Sequence, residues 1–384
     1  MTNIQVQSKL PNVGTNIFTV MSALANEHQA INLSQGFPDF PSSERLNELV
    51  FYYMQKGFNQ YAPMPGLPVF REQIAHKVSS LYDISIHPDE ITVTAGATQA
   101  LFTAIATFVR PGDEVVILEP AYDSYRPSIE VNGGIPVVYE LKAPEYKVDW
   151  QAVQGLFSPK TRMIMINTPH NPTGTILNKE DLESLYNIVK NTNIIILSDE
   201  VYEHLIYDGE SHQSVLRYPG LRERSLAVYS FGKTFHNTGW KMGYCVAPPA
   251  LTAEFRKVHQ FNVFSVNTPM QYALADFLQN PEEYLVLNNF FQQKRDYLVK
   301  VMEGSRLRPL PSKGTYFQLF DYSQISDEAD RDFAKRMTIE FGVAAIPVSV
   351  FYSSKRDDKV IRLCFAKKEE TLQKAGELLR TKIG

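Results

Sequence analysis

Short apolar runs rich in β-branched residues alternate along the middle of the chain with longer stretches whose apolar residues recur every three or four positions. "EITVT" (Glu90–Thr94) predicts a strand, and "GATQALFTAIATFV" behind it a helix with one apolar face. "EVVIL", "RMIMIN" (Arg162–Asn167), "NIIILSD", "SLAVYSF" and "MGYCVA" predict further strands, and "KEDLESLYNIVK" a helix. Strands that are apolar throughout are covered on both faces, and strands separated by helices form parallel sheets. The expectation is an α/β unit with a mostly parallel sheet over residues 42–287. Beyond it the pattern changes. A long helix is expected from about Pro281 to Glu303, then strands at "GTYFQLF", "GVAAIPVSVF" and "VIRLCFAK", with helices near Asp330–Phe341 and Glu369–Lys382. That makes residues 288–384 a smaller α+β unit. Residues 1–41 hold an arm and a helix (about Phe18–His28) with no sheet of their own, expected to pack on the smaller unit.

Composition narrows the class of protein. Hydrophobic residues make up 44% and charged residues 21% of 384, the profile of a folded chain with a large core. The net charge of -4 gives no electrostatic footprint for nucleic acid. The densest basic run, "FAKKEE", reads as a solvated helix start. Cys245 and Cys364 form no C-x-x-C and read as small buried hydrophobes of a reducing compartment. The N-terminus lacks the apolar core of a signal peptide, and no apolar run approaches a membrane span. A cytoplasmic protein without membrane or nucleic-acid partners is expected.

In an open α/β sheet, ligands bind beyond the carboxyl ends of the strands. "EITVT" is followed by Gly96-Ala97-Thr98 opening a helix, which is either an ordinary N-cap or a phosphate site. Tyr122 follows "EVVILEP", and can stack on a flat ring or fill the core. Asn171 follows "MIMINTP", set between two prolines. Asp199 closes "IIILSD", with Tyr202 three residues on. "AVYSF" is followed by Gly232-Lys233-Thr234, the ending of a P-loop. The glycine a P-loop needs five residues earlier is Ala227, however, and no G-x-G occurs anywhere in the chain. A phosphate site, an aromatic, an amide, a carboxylate, a phenol and a lysine on one sheet edge fit pyridoxal 5'-phosphate. That cofactor wants an anion at its ring nitrogen and a lysine at its aldehyde.

With these residues go "NLSQGFPDF", "NQYAPMPG", "VTAGATQAL", "NTPHNPTG", "SDEVYEHL", "SFGKTFHNTGWKMGY" and "IRLCFAK". Over nearly its whole length the chain resembles the class I and II aminotransferases of pyridoxal phosphate fold type I, especially the methionine and kynurenine aminotransferase group. The resemblance implies a seven-stranded sheet and a homodimer with shared active sites. It implies that Lys233 bonds the aldehyde and that Asp199 binds the ring nitrogen. Asn171 and Tyr202 would bond the ring hydroxyl and Tyr122 would stack on the ring. Gly96, Ala97, Ser230 and Lys241 would hold the phosphate, and Tyr61 would reach over from a neighbouring subunit. Arg362 would clamp the substrate α-carboxylate, helped by Gly36 and Asn171, with Phe37 and Tyr61 beside the substrate. Lys241 stands where many relatives carry arginine; an ammonium also binds phosphate.

The implied activity is transfer of an amino group from an amino acid to a 2-oxo acid. A C–S β-lyase would use the same fold and residues. A cofactor-binding regulator would need a DNA-binding face that the chain lacks. A metal hydrolase would need more than His204 and His212, and there is no H-E-x-x-H. Relatives preferring dicarboxylic acids carry an arginine some thirty residues after the aldehyde lysine, but Val258 to Gln293 contains neither Lys nor Arg. Phe18, Phe37, Tyr61, Tyr122, Tyr316 and Phe351 are the candidate pocket aromatics, favouring methionine, aromatic or neutral polar donors.

Overall fold

The computed structural model describes residues 4–384. A helix, Ile17–Glu27, and a two-residue strand, β1 (Ile31–Asn32), begin the chain. Seven strands then build the large sheet: β2 (Ile91–Thr94), β3 (Glu114–Glu119), β4 (Ile135–Glu140), β5 (Thr161–Asn167), β6 (Ile195–Asp199), β7 (Ser225–Ser230) and β8 (Gly243–Val246). Their order is β2-β8-β7-β6-β5-β3-β4. Every pairing is parallel except those of β8, which runs antiparallel to both neighbours.

The continuous apolar runs follow from two covered faces. Val115 and Ile117, with Met163, Met165, Leu197 and Val228, pack against the helix Ala97–Phe108. Their sequence neighbours Val116, Ile164, Ile166 and Ile196 join Phe70, Ile74, Leu182 and Leu185 on the opposite side. Those four come from the helices Pro68–Tyr82 and Lys179–Val189. Each strand thus feeds both layers, as its period of two requires. Pattern reading did not mark β4. It is the sheet edge, nowhere buried, and opens on Ile135 at 47% exposure; its run Ile135–Tyr139 is apolar but holds Pro136, and a proline within a run weakens the reading as a strand.

Four further strands form an antiparallel sheet ordered β12-β13-β10-β9, from β9 (Arg308–Pro309), β10 (Phe317–Asp321), β12 (Ile346–Pro347) and β13 (Val360–Cys364). The strand β11 (Val343–Ala344) instead pairs in parallel with β1. "GVAAIPVSVF" is therefore not one strand. The chain changes sheets at Ala345, and Pro347, which has no N–H for a ladder, leads into a short 3-10 turn, Val348–Phe351. The expected helix from Pro281 is two, Glu282–Leu285 and Leu287–Met302, interrupted at Val286, where ψ is -11°. Met21 of the first helix packs with Ala334, Ile346 and Phe351. Among the described residues no helix is long and apolar enough to cross a membrane.

Candidate active site

The carboxyl ends of β3, β5, β6 and β7 open on one edge, and the turn after β2 joins them. There, Gly96, Ala97, Thr98, Tyr122, Asn171, Asp199, Tyr202, Ser230, Lys233 and Lys241 line a single cleft. Among the proposed cofactor contacts, Tyr61 lies apart. It is 81% exposed and meets Phe264 edge to face, with ring centroids 5.2 Å apart.

One end of the cleft is built for an anion. Gly96 caps the helix Ala97–Phe108 at φ 78° and offers no side-chain cap. The first amides of that helix, with the positive end of its dipole, are left for a ligand. Antiparallel β8 brings Gly243 against this turn. A Cβ there would stand 2.6 Å from the Tyr229 carbonyl oxygen and 3.0 Å from the Ala97 nitrogen, so the approach needs glycine. Lys241, in the left-handed region at φ 55°, lies against Gly96. Among the described residues neither the Lys241 ammonium nor the Ser230 hydroxyl has an ion-pair or side-chain hydrogen-bond partner.

The other end brings a buried carboxylate and a buried amine into one cleft. Asp199 is buried, and burial pushes its carboxyl up to about 6, against the opposing pull of the Tyr125 hydroxyl and the Val201 N–H. Tyr125 donates to Oδ2 at 2.6 Å, and the Val201 amide to Oδ1 at 3.3 Å. No cation reaches this carboxylate among the described residues. Asn167 fixes the neighbouring turns: its Nδ2 donates to the Asp199 carbonyl at 2.8 Å, and its Oδ1 accepts from the Asn171 amide at 2.8 Å. Tyr122 places its hydroxyl 3.4 Å from Thr98 Oγ1. Lys233 Nζ donates to the Tyr316 hydroxyl at 3.0 Å and to the Gly36 carbonyl at 3.4 Å. It lies 5.8 Å from the centre of the Tyr202 ring. Burial pushes its amine down to about 8, with Arg362 and Lys241 pulling the same way.

Arg362 stands in the middle of β13, opposite Leu319 on one side and Ile346 on the other. It is 1% exposed. Nη1 donates to Asn171 Oδ1 at 2.7 Å and Nη2 to the Ser34 carbonyl at 3.3 Å, while Nε has no partner. Its guanidinium lies 3.7 Å from the Phe317 ring centre. No carboxylate pairs with it among the described residues, and burial pushes it down to about 10. A buried guanidinium in that condition is set to receive an anion. Gly36 adjoins the cleft through Lys233, while Phe37 is 48% exposed at the rim.

Tyr125 and Asn167 were not marked from sequence. Asn167 ends the run "RMIMIN", where a terminal amide reads as an ordinary strand end; Tyr125 stands three residues after Tyr122, a closeness that could have pointed to it. "FAKKEE" is corrected: Lys367 is buried at 3% exposure, with its ammonium donating to the Phe37 carbonyl at 2.8 Å. Among the described residues no cluster of His, Cys, Asp or Glu is arranged for a metal.

Residues 28–379 match the family model for aminotransferase class I and II. The chain is 54% identical over 376 residues to methionine aminotransferase of Escherichia coli (strain K12), covering 97% of each. It is 34% identical over 413 residues to human kynurenine–oxoglutarate transaminase 1, covering 98% of each. Among solved structures, Escherichia coli YbdL, described with a methionine aminotransferase function, superposes with a TM-score of 0.97 at 53% identity, covering 99% of this chain and 100% of that one. A Thermus thermophilus aspartate aminotransferase mutant gives 0.90 at 30% identity, covering 99% and 100%. The chain belongs to the class I and II aminotransferases and is a pyridoxal phosphate-dependent transaminase.

Proposed function

We propose that this transaminase takes methionine, aromatic and neutral amino acids as donors and passes the amino group to a 2-oxo acid. The observation that carries the reading is the carboxylate-free Arg362, ringed by Phe317, Phe18 and Phe351 with the guanidinium carbon 3.7, 5.2 and 5.4 Å from their centres. It offers one site for one carboxylate. Two lysines beside the rim residue Phe37 are engaged: Lys367 by the Phe37 carbonyl and Lys294 by the Lys367 carbonyl, each at 2.8 Å. The names of the methionine and kynurenine relatives point the same way.

In this reading the Gly96–Thr98 turn, Ser230 and Lys241 hold the cofactor phosphate, Tyr122 covers the ring, and Asn171 and Tyr202 bond its hydroxyl. Asp199 keeps the ring nitrogen protonated. The cofactor supplies an aldehyde that condenses with amines and a ring that draws electron density from the substrate Cα. Lys233 Nζ accepts the Cα proton and later returns it. With its amine at about 8, close to half is neutral near pH 8, against well under 1% for an ordinary lysine near 10.4. Arg362 fixes the α-carboxylate and, through Asn171, couples its grip to the cofactor side. Residues 42–287 act as the cofactor-binding unit, with 288–384 and the arm 1–41, of which residues 1–3 lie outside the described residues, supplying the substrate side. The active assembly is a homodimer. Tyr61 and Phe264, with Phe261 at 87% exposure, give an aromatic surface that a second copy would cover.

Steady-state assays with one shared keto-acid acceptor test the reading. kcat/KM for methionine should exceed that for aspartate by at least about tenfold. Aspartate as the better donor would overturn it, and product formation without any keto acid would point to the lyase instead.

A further inference from the structure

We propose that Asp123 sets the selectivity of this site against acidic amino acids: its carboxylate stands at the mouth of the substrate pocket and repels a second carboxylate on the substrate. The proposal rests on the donor reading above and explains how that preference is enforced.

Asp123 directly follows Tyr122, which lines the cofactor cleft. The loop carrying it is tied across to the substrate-carboxylate side, because the Ala121 amide donates to the Phe351 carbonyl at 3.0 Å. The Phe351 ring in turn lies 5.4 Å from the Arg362 guanidinium. From the third side comes the N-terminal arm. Asn16 donates its side-chain amide to Asp123 Oδ2 while its own Oδ1 caps the helix Ile17–Glu27, accepting from the Phe18 amide at 2.8 Å. Phe18 lies 5.2 Å from the guanidinium and 6.1 Å from the Phe351 ring. Gln35 Nε2 holds the Phe18 carbonyl at 3.0 Å. Asp123 and Arg362 are thus gathered under one aromatic cover.

Yet they do not pair, and among the described residues Asp123 has no cation within ion-pair distance. Burial is the largest influence and holds its carboxyl above the usual value, opposed by the Asn16 amide and the positive field of Arg362. A lone arginine would accept either carboxylate of a dicarboxylic donor. With one carboxylate on Arg362, the other has to share the mouth with Asp123, and like charges brought together out of bulk water disfavour that substrate. A neutral side chain meets only the Asn16 and Asp123 polar edge and the aromatic rings.

Glutamine and glutamate differ by little more than this charge, so their ratio of kcat/KM isolates it. The holoenzyme and its Asp123→Asn, Asp123→Ser and Asn16→Ala variants would be compared, with the bound cofactor's visible absorbance confirming folded, loaded protein. Inhibition by glutarate and by its monoamide gives a second readout independent of turnover. Both Asp123 variants should lower the glutamine-to-glutamate ratio by about tenfold and tighten glutarate relative to the monoamide by a similar factor. Asn16→Ala, which cuts the arm's tie but leaves the charge, should keep the ratio. The inference is overturned if neutralising Asp123 leaves both ratios within twofold, or if Asn16→Ala shifts them as much. A wild-type enzyme preferring glutamate to methionine would sink the donor reading itself. Neutral-donor preference that Asp123→Asn does not narrow would sink only this inference.

Discussion

Replacing Asp199 by asparagine is expected to make the cofactor-free protein more stable while it destroys transamination. The carboxyl is buried at 4% exposure and rises from 3.8 to about 6 on folding, chiefly through desolvation. A shift of about two pKa units corresponds to about 3 kcal/mol. The folded chain binds the proton more tightly than the unfolded one, so the group favours folding most fully below about pH 4, and that contribution is lost as the pH rises through about 6. At pH 8 the folded protein therefore holds a charged carboxylate at a cost of up to about 3 kcal/mol. Asparagine escapes this charge but keeps an oxygen for the Tyr125 hydroxyl, which now donates at 2.6 Å. Urea unfolding of cofactor-free protein across the pH range is the assay. The variant should be the more stable at pH 8, and the curves should converge near pH 4. With cofactor bound the order should reverse, because the ring N–H has its counter-charge only in the wild type. Turnover should fall about a hundredfold or more. A variant no more stable than wild type at pH 8, or one that turns over at nearly the wild-type rate, would refute the reasoning.

Other outcomes follow from the same geometry. Because the neutral amine is the nucleophile and Lys233 sits at about 8, the rate of cofactor uptake by stripped protein should rise with pH around a midpoint near 8; a midpoint above 10 would contradict it. Arg362→Met should lower kcat/KM for methionine by about a hundredfold or more, from loss of a buried charge-assisted contact, and Arg362→Lys should recover only part of it. Equal activity of the methionine variant would mean the carboxylate binds elsewhere. Sedimentation at assay concentration should show a dimer, and Tyr61→Ala should weaken cofactor retention; a fully active monomer would refute a shared site.

Much of the fold was readable because a strand covered on both faces has to be apolar throughout. β3, β5, β6 and β7 are the strands of that kind, and their ends carry the polar residues of the cleft. The edge strand β4 is harder to read because Pro136 interrupts its apolar run, although Val137 and Tyr139 pack on one layer and Val138 on the other. The break at Ala345 was not legible either. It is set by β11 and β12 choosing partners more than two hundred residues away in the first case and in β13 in the second, a tertiary choice that local pattern does not encode. Within the site, residues lying just after strands could be found by position alone. Tyr125 and Asn167 act indirectly, by holding Asp199 and Asn171, and only the three-residue spacing from Tyr122 hints at Tyr125. Lys367 departs from expectation because a charge run reads as solvated, whereas the turn into Glu369–Ile383 buries one of its lysines under Phe37.

The central claim is that Lys233, half-buried between Tyr316, Gly36 and Tyr202, is the amine that bonds the cofactor aldehyde. Borohydride reduction of the yellow holoenzyme followed by peptide mass mapping tests it most directly. The account predicts one fixed cofactor per chain, on the peptide carrying Lys233, and no fixation in Lys233→Ala that is still folded. Fixation on Lys241, on buried Lys77, or at no lysine at all would contradict it.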